Sequence, residues 1–135
     1  MSIKVWINGT FDVLHLGHIK LIQRAKQVAG ETCNVRIGVD TDERVKKLKG
    51  ENRPVNTLED RIEFLKSIKG VDQVVSFDSD EELRELIKDY KPDLMIIGDD
   101  YLNKEIIGRE YIKEIIYVPR YQGLSSTKII SGAHN

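Results

Sequence analysis

The amino-acid sequence predicts a single doubly wound α/β domain built on a mostly parallel five-stranded sheet. Three observations predict it. Short runs rich in Val and Ile alternate with longer amphipathic stretches, the pattern of strands joined by crossover helices. The chain has 135 residues, the length of one domain. Hydrophobic residues make up 40% and charged residues 32%, so a packed core is expected and disorder is not.

The elements follow in order. Strands are read at Ile3–Ile7, Val35–Val39, Val71–Phe77, Leu94–Ile97 and Ile115–Val118. They are short and apolar throughout, as strands buried on both faces are. Leu16–Ala29 places Ile19, Ile22, Ala25 and Val28 on one helical face. Leu58–Ile68 does so with Ile62, Leu65 and Ile68, and Glu81–Tyr90 with Leu83, Leu86 and Ile87. Thr57 or Asn56 caps the second of these helices. This alternation is Rossmann-like, and such sheets bind ligands beyond the carboxyl ends of their strands, where the strand order reverses.

Composition removes several classes of function. Lys plus Arg is 21 against 22 Asp plus Glu, so no nucleic-acid partner is expected. Cys33 is the single cysteine, which excludes a disulfide within the chain and argues against a cysteine-based zinc site. With Val35 and Ile37 as neighbours it reads as a small core thiol. No apolar run reaches the length of a membrane span, about 20 residues. The opening residues turn polar too soon for a signal peptide. A reduced, cytoplasmic setting is therefore expected.

The polar residues that carry chemistry cluster after the strands. The first strand leads into Asn8-Gly9-Thr10-Phe11-Asp12-Val13-Leu14-His15-Leu16-Gly17-His18. Gly9 permits a tight exit, and Gly17 lets the backbone approach a ligand. A helix start supplies free N–H groups for an anion, and two histidines three apart converge on one point. Imidazoles donate to phosphate oxygens and can be charged near neutral pH. Metal ligation has no third ligand to complete it, because His134 is the only other histidine. The dinucleotide fingerprint and the P-loop are both absent.

The Gly9-Thr10-Phe11-Asp12 and His15-Leu16-Gly17-His18 block resembles the signature of the nucleotidyltransferases with the His-x-Gly-His motif. The resemblance runs from Lys4 to about Ile130. It is shared between small glycerol-3-phosphate cytidylyltransferases and the adenylyltransferase domain acting on heptose 1-phosphate. It implies a transferase in which His15, His18, Lys49 and Ser126 act on the phosphates. Gly9, Thr10, Phe11, Gly17, Lys47, Arg61, Asp99, Arg120, Ser125 and Thr127 are its implied nucleotide contacts. Asp12 and Lys69 are its implied acceptor contacts, with no protein-held metal.

Each later segment has a plainer reading beside this one. The basic stretch Arg44 to Lys49, followed by Gly50, is either a solvated helix end or a mobile loop gripping a triphosphate. In the resemblance, Lys49 is the phosphate lysine and Lys47 the second candidate. Arg61 either pairs with an acid on its own helix or helps hold the site. Gly98-Asp99-Asp100-Tyr101 is either a turn closed by an Asp side chain or a ligand contact through Asp99. Asp72 and the strand after it are an alternative place for a subunit contact. Ser125-Ser126-Thr127 caps a last helix and resembles the family's Ser-Thr-Thr phosphate segment.

Two substrate pairs compete. Lys69, Gly98-Asp99-Asp100 and Pro119-Arg120 favour CTP with glycerol 3-phosphate. Lys49-Gly50 through Arg53-Pro54-Val55-Asn56 favours ATP with heptose 1-phosphate. The expectation places CTP first, with Mg²⁺ carried mainly by the nucleotide phosphates and a homodimer implied by the resemblance. A non-catalytic nucleotide-binding module is disfavoured because every part of the phosphate machinery is retained. A domain related to aminoacyl-tRNA synthetases lacks the room and the basic excess.

Overall fold

The computed structural model describes residues 2–119. Five strands form one all-parallel sheet: β1 (Lys4–Gly9), β2 (Asn34–Asp40), β3 (Gln73–Phe77), β4 (Leu94–Gly98) and β5 (Glu114–Val118). Their order is β3-β2-β1-β4-β5. Among the described residues four α-helices, α1 (Leu16–Ala29), α2 (Asp42–Lys49), α3 (Leu58–Lys66) and α4 (Asp80–Tyr90), join β1 to β4 in turn, and two 3₁₀ turns lie between β4 and β5. The expected doubly wound architecture is what the chain forms.

Two cores lie on the two faces of the sheet. The first gathers Ile7, Phe11, Ile22, Ala25, Val35, Ile37, Leu65 and Ile96 beneath α1 and α3. The second gathers Trp6, Phe77, Leu83, Ile87, Met95 and Ile97 against α4. A strand sends alternate residues to opposite faces, so β1 places Ile7 in the first core and Trp6 in the second. Gly38 has a specific reason to be glycine, since a Cβ there would lie 2.5 Å from the Trp6 ring. The winding reverses between β1 and β4, and the carboxyl ends of these neighbours, Gly9 and Gly98, open one crevice there.

Several sequence expectations change in detail. The basic stretch after β2 is the helix α2, capped by Thr41 and ended by Gly50 at φ 101°. Its charged surface hides the pattern, because Val45 is its one buried residue. The three inner strands carry the buried runs, whereas β3 and β5 lie at the sheet edges and are part exposed. In α1, Ile22 and Ala25 are buried, whereas Val28 is exposed near the helix end. Thr57, rather than Asn56, caps α3 by accepting from the Asp60 N–H. Cys33 is buried in the first core, as expected.

Asp72 is absorbed into the sheet. Its carboxylate accepts from the Val35 N–H at 2.8 Å, and its own N–H donates to the Val35 carbonyl. The side chain fixes the entry of β3 beside β2, so it is spent within the chain.

Candidate active site

The first βα turn builds the site from local chemistry. Phe11 takes a left-handed backbone, φ 52°, which side chains other than glycine rarely adopt. Burial of its ring in the first core holds it there. The chain reverses and delivers His15 to the N-cap of α1 and His18 to the third helical position. The two residues cap the helix reciprocally. The Gly17 N–H donates to His15 Nδ1 at 3.0 Å, and the His15 N–H donates to His18 Nδ1 at 3.3 Å.

This capping determines the protonation pattern. An Nδ1 that accepts a hydrogen bond carries no proton, so each neutral ring carries its proton on Nε2. The rings stack with centroids 4.0 Å apart, and Phe11 packs on His18 at 4.9 Å. Burial, then the neighbouring His15 and Lys49, push the His18 pKa down to about 3. Burial lowers His15 as well. Both shifts favour the neutral rings, so the pair presents two N–H donors to the cleft.

The crevice is a cleft of about 1020 Å³, roomy for a nucleotide and a second ligand. Gly9, Thr10, Phe11, His15, Gly17, His18 and Lys49 all line it. The Lys49 ammonium lies in the field of Asp40 and Asp12, which favour its charge, while burial and Arg53 lower its pKa. The same cleft is lined by residues named in the sequence motifs but not chosen there as site residues: Asn8, Asp40, Arg44, Asp100 and Tyr101. Asp40 accepts from Thr10 Oγ1 at 3.1 Å and from Arg44 Nε at 2.8 Å. Arg44 also reaches Asp80 at 2.6 Å. The position of Asp40 at the carboxyl end of β2 was the available signal.

Other expected contacts lie elsewhere. Asp12 is fully buried. Its carboxylate accepts from the N–H groups of Val55 and Asn56 and from Arg53 Nε. Burial alone would raise its pKa, but those donors outweigh it and hold the carboxyl below its usual range. Arg61 is also fully buried. It donates to the carbonyls of Asn56, Thr10 and Asp40 and to the Asp42 carboxylate. The pair with an acid on its own helix is not formed, since its acid partner sits at the start of α2; the bonds to Thr10 and Asp40 instead make Arg61 a buried residue that helps hold the site together.

Lys69 is exposed in the connection from α3 to β3. That connection leads into the amino-terminal end of β3, opposite the cleft, so the structure does not bring Lys69 together with the other predicted site residues. Lys47 points off the exposed side of α2 and is absent from the cleft lining. Asp99 and Asp100 share a 3₁₀ turn, Asp99–Tyr101. Residues of such a turn point about 120° apart, and Asp100, not Asp99, lines the cleft. Arg120, Ser125, Ser126 and Thr127 lie outside the described residues.

Among the described residues no group of three His, Cys, Asp or Glu side chains converges to hold a metal ion. No helix among them is long and apolar enough to cross a membrane.

A family model for cytidylyltransferase-like proteins matches residues 6–132. The Bifunctional protein HldE of Helicobacter hepaticus is 42% identical over 126 residues, which are 93% of this chain and 25% of that protein. The protein of the same name from Nitratiruptor is 43% identical over 126 residues, 93% of this chain and 26% of its own. The chain thus spans about a quarter of the length of the curated relatives it matches. Among solved structures, the lipopolysaccharide core biosynthesis protein from Thermoplasma volcanium superposes with a TM-score of 0.71 at 23% identity, covering 90% of this chain and all of that one. The pantothenate synthetase of Thermus thermophilus reaches 0.65 at 19%, covering 95% of this chain and 61% of that one. At those identities the likeness speaks for the fold. With the histidine pair at the switch point and a family match over nearly its whole length, the chain belongs to the cytidylyltransferase-like family of nucleotidyltransferases.

Proposed function

We propose that this domain transfers the nucleoside monophosphate of ATP to a phosphorylated sugar of the heptose 1-phosphate type and releases pyrophosphate. The observation that carries nucleotidyl transfer is the stacked His15–His18 pair, whose Nε2–H groups are its remaining donors on the cleft wall. An acceptor phosphate oxygen attacks the α-phosphorus, and the bond to the bridging oxygen breaks. Pyrophosphate departs with that electron pair. The acceptor is already ionised at neutral pH, so positioning and charge stabilisation supply the rate. His15 and His18 donate to the phosphate oxygens as charge grows, and Lys49 steadies the leaving group. The sequence motif adds Ser126 and Thr127 on the β- and γ-phosphates.

The substrate order expected from sequence inverts for stated reasons. Of the three features that favoured CTP and glycerol 3-phosphate, Lys69 sits at the wrong end of the sheet. The segment favouring ATP and heptose 1-phosphate, by contrast, is bonded to the catalytic turn through Arg53, Val55 and Asn56. The relatives named Bifunctional protein HldE cover 93% of this chain at 42–43% identity, and the resemblance to the heptose 1-phosphate adenylyltransferase domain supports this order. The wall of Asn8, Asp100 and Tyr101 suits the acceptor, since carboxylate and amide groups take sugar hydroxyls and an aromatic ring takes a sugar face.

Mg²⁺ is part of this reading, brought in on the triphosphate. The donor set fits that mode: Asp100 offers one carboxylate to the cleft, while Asp40 is engaged by Arg44. The ion would supply charge neutralisation. A homodimer is also part of it, read by light scattering. CTP with glycerol 3-phosphate is the second reading, favoured by the Gly98-Asp99-Asp100-Tyr101 turn on the cleft wall. Phosphorus NMR with Mg²⁺ tests both pairs. An ADP-sugar and pyrophosphate are expected with ATP and heptose 1-phosphate. CDP-glycerol formed instead would reverse the order, and no turnover with either pair would overturn both.

A further inference from the structure

The eight-residue helix α2 carries Lys49 at its last position and buries a single side chain, Val45. Packing of that one residue is a weak hold for a helix that must aim an ammonium into the cleft. Two buried arginines bracket it instead. At its start, Arg61 donates to the Asp42 carboxylate at 2.7 Å and to the Asp40 carbonyl at 2.8 Å. The same guanidinium donates to the Thr10 carbonyl at 2.9 Å, within the catalytic turn. Beyond its end, the chain turns through Gly50, the Arg53 N–H returns to the Gly50 carbonyl, and Arg53 Nε bonds Asp12 at 3.0 Å. Asp12 belongs to the same turn and also accepts from the Val55 and Asn56 N–H groups at 2.9 Å. The helix is thus tied at both ends to the segment that carries His15 and His18.

We infer that the Asp12–Arg53 pair, with Arg61, is a positioning device that sets the Lys49 ammonium against the histidine pair, and that neither arginine touches substrate. The inference takes Lys49 as the pyrophosphate contact and so rests on the proposed function. Coupling through Lys49 separates positioning from general stability: an Arg53 substitution must matter only while Lys49 is present.

The test measures binding of inorganic pyrophosphate with Mg²⁺ by calorimetry to the wild type, Arg53→Gln, Lys49→Met and the double variant. In parallel, ¹³C-methylated lysines are titrated by NMR, which reads Lys49 without any ligand. Arg53→Gln is expected to weaken pyrophosphate about tenfold in the wild-type background and less than about twofold with Lys49→Met. Its Lys49 methyl signal is expected to move and to titrate higher, a neighbouring cation having gone. Arg53→Lys restores part of both effects, and serves alone if Arg53→Gln does not fold. Equal losses in the two Lys49 backgrounds, or an unmoved Lys49 signal, would overturn the inference. If pyrophosphate does not bind the wild type, the proposed function fails there, and the Lys49 titration still decides the positioning.

Discussion

The histidine turn and the lysine helix face each other across one cleft but are held by different means. His15 and His18 are fixed by contacts two and three residues apart, within the helix start they cap. Lys49 sits on a helix held by partners 19 and 41 residues away in sequence, Asp42 to Arg61 and Asp12 to Arg53. The first device is local and neutral. The second is long-range, buried and ionic. A local device survives as long as its helix does, whereas a long-range one fails when either end is lost. On the proposed reading the turn carries the chemistry, and the ionic strap formed by Asp12–Arg53 and Asp42–Arg61 aligns Lys49.

The largest expected effect breaks the ionic device. Asp12→Ala leaves the buried Arg53 guanidinium without its carboxylate and three donors without their acceptor. A loss of about 3–5 kcal/mol of stability is expected in urea unfolding. A loss below about 1 kcal/mol would show that the strap is not anchored there.

His18→Ala tests the turn. Removing one preorganised donor is expected to lower turnover by about 10²–10³, with nucleotide affinity changing far less. A parallel fall in both would make His18 a ground-state contact. Its stability cost should stay smaller than that of Asp12→Ala.

Acid sharpens the contrast next. The folded His18 pKa is depressed to about 3, below the ordinary value of about 6.5. Its neutral form is the one the fold accepts. The stability it contributes is therefore fully present above pH 6.5 and is lost as pH falls from there towards 3. His18→Gln should flatten the decline in urea midpoint between pH 7 and pH 5. An unchanged slope would place the acid sensitivity in another group.

The smallest effect lies at the far end of the sheet. Lys69→Ala is expected to change kcat/KM less than about twofold, because the residue sits at the amino-terminal edge. A tenfold loss would bring that edge into the site, through a partner subunit.

How much of this was legible follows the same division. The strand order, three of the four helices, the histidine turn and Lys49 stand within short motifs, so the sequence displays them, whereas α2 is masked by its charged surface. The roles of Asp12 and Arg61 do not stand within such motifs. Both are charged residues near a motif and read as ligand contacts, while their actual partners come from segments about 20 to 50 residues away. Asp99 and Asp100 differ only in the direction a 3₁₀ turn points them.

Apolar periodicity in the chain specifies the doubly wound fold, and the spacing of Gly9, His15, Gly17 and His18 specifies the histidine turn. Packing of distant segments is what lowers the histidine pKa values, ties Asp12 and Arg61 into the scaffold and leaves Lys69 at the opposite end of the sheet. Burial accounts for the division. A charge near a motif is free to meet a ligand only if the fold leaves it solvent and no nearer partner, and which groups become partners is settled when distant segments pack.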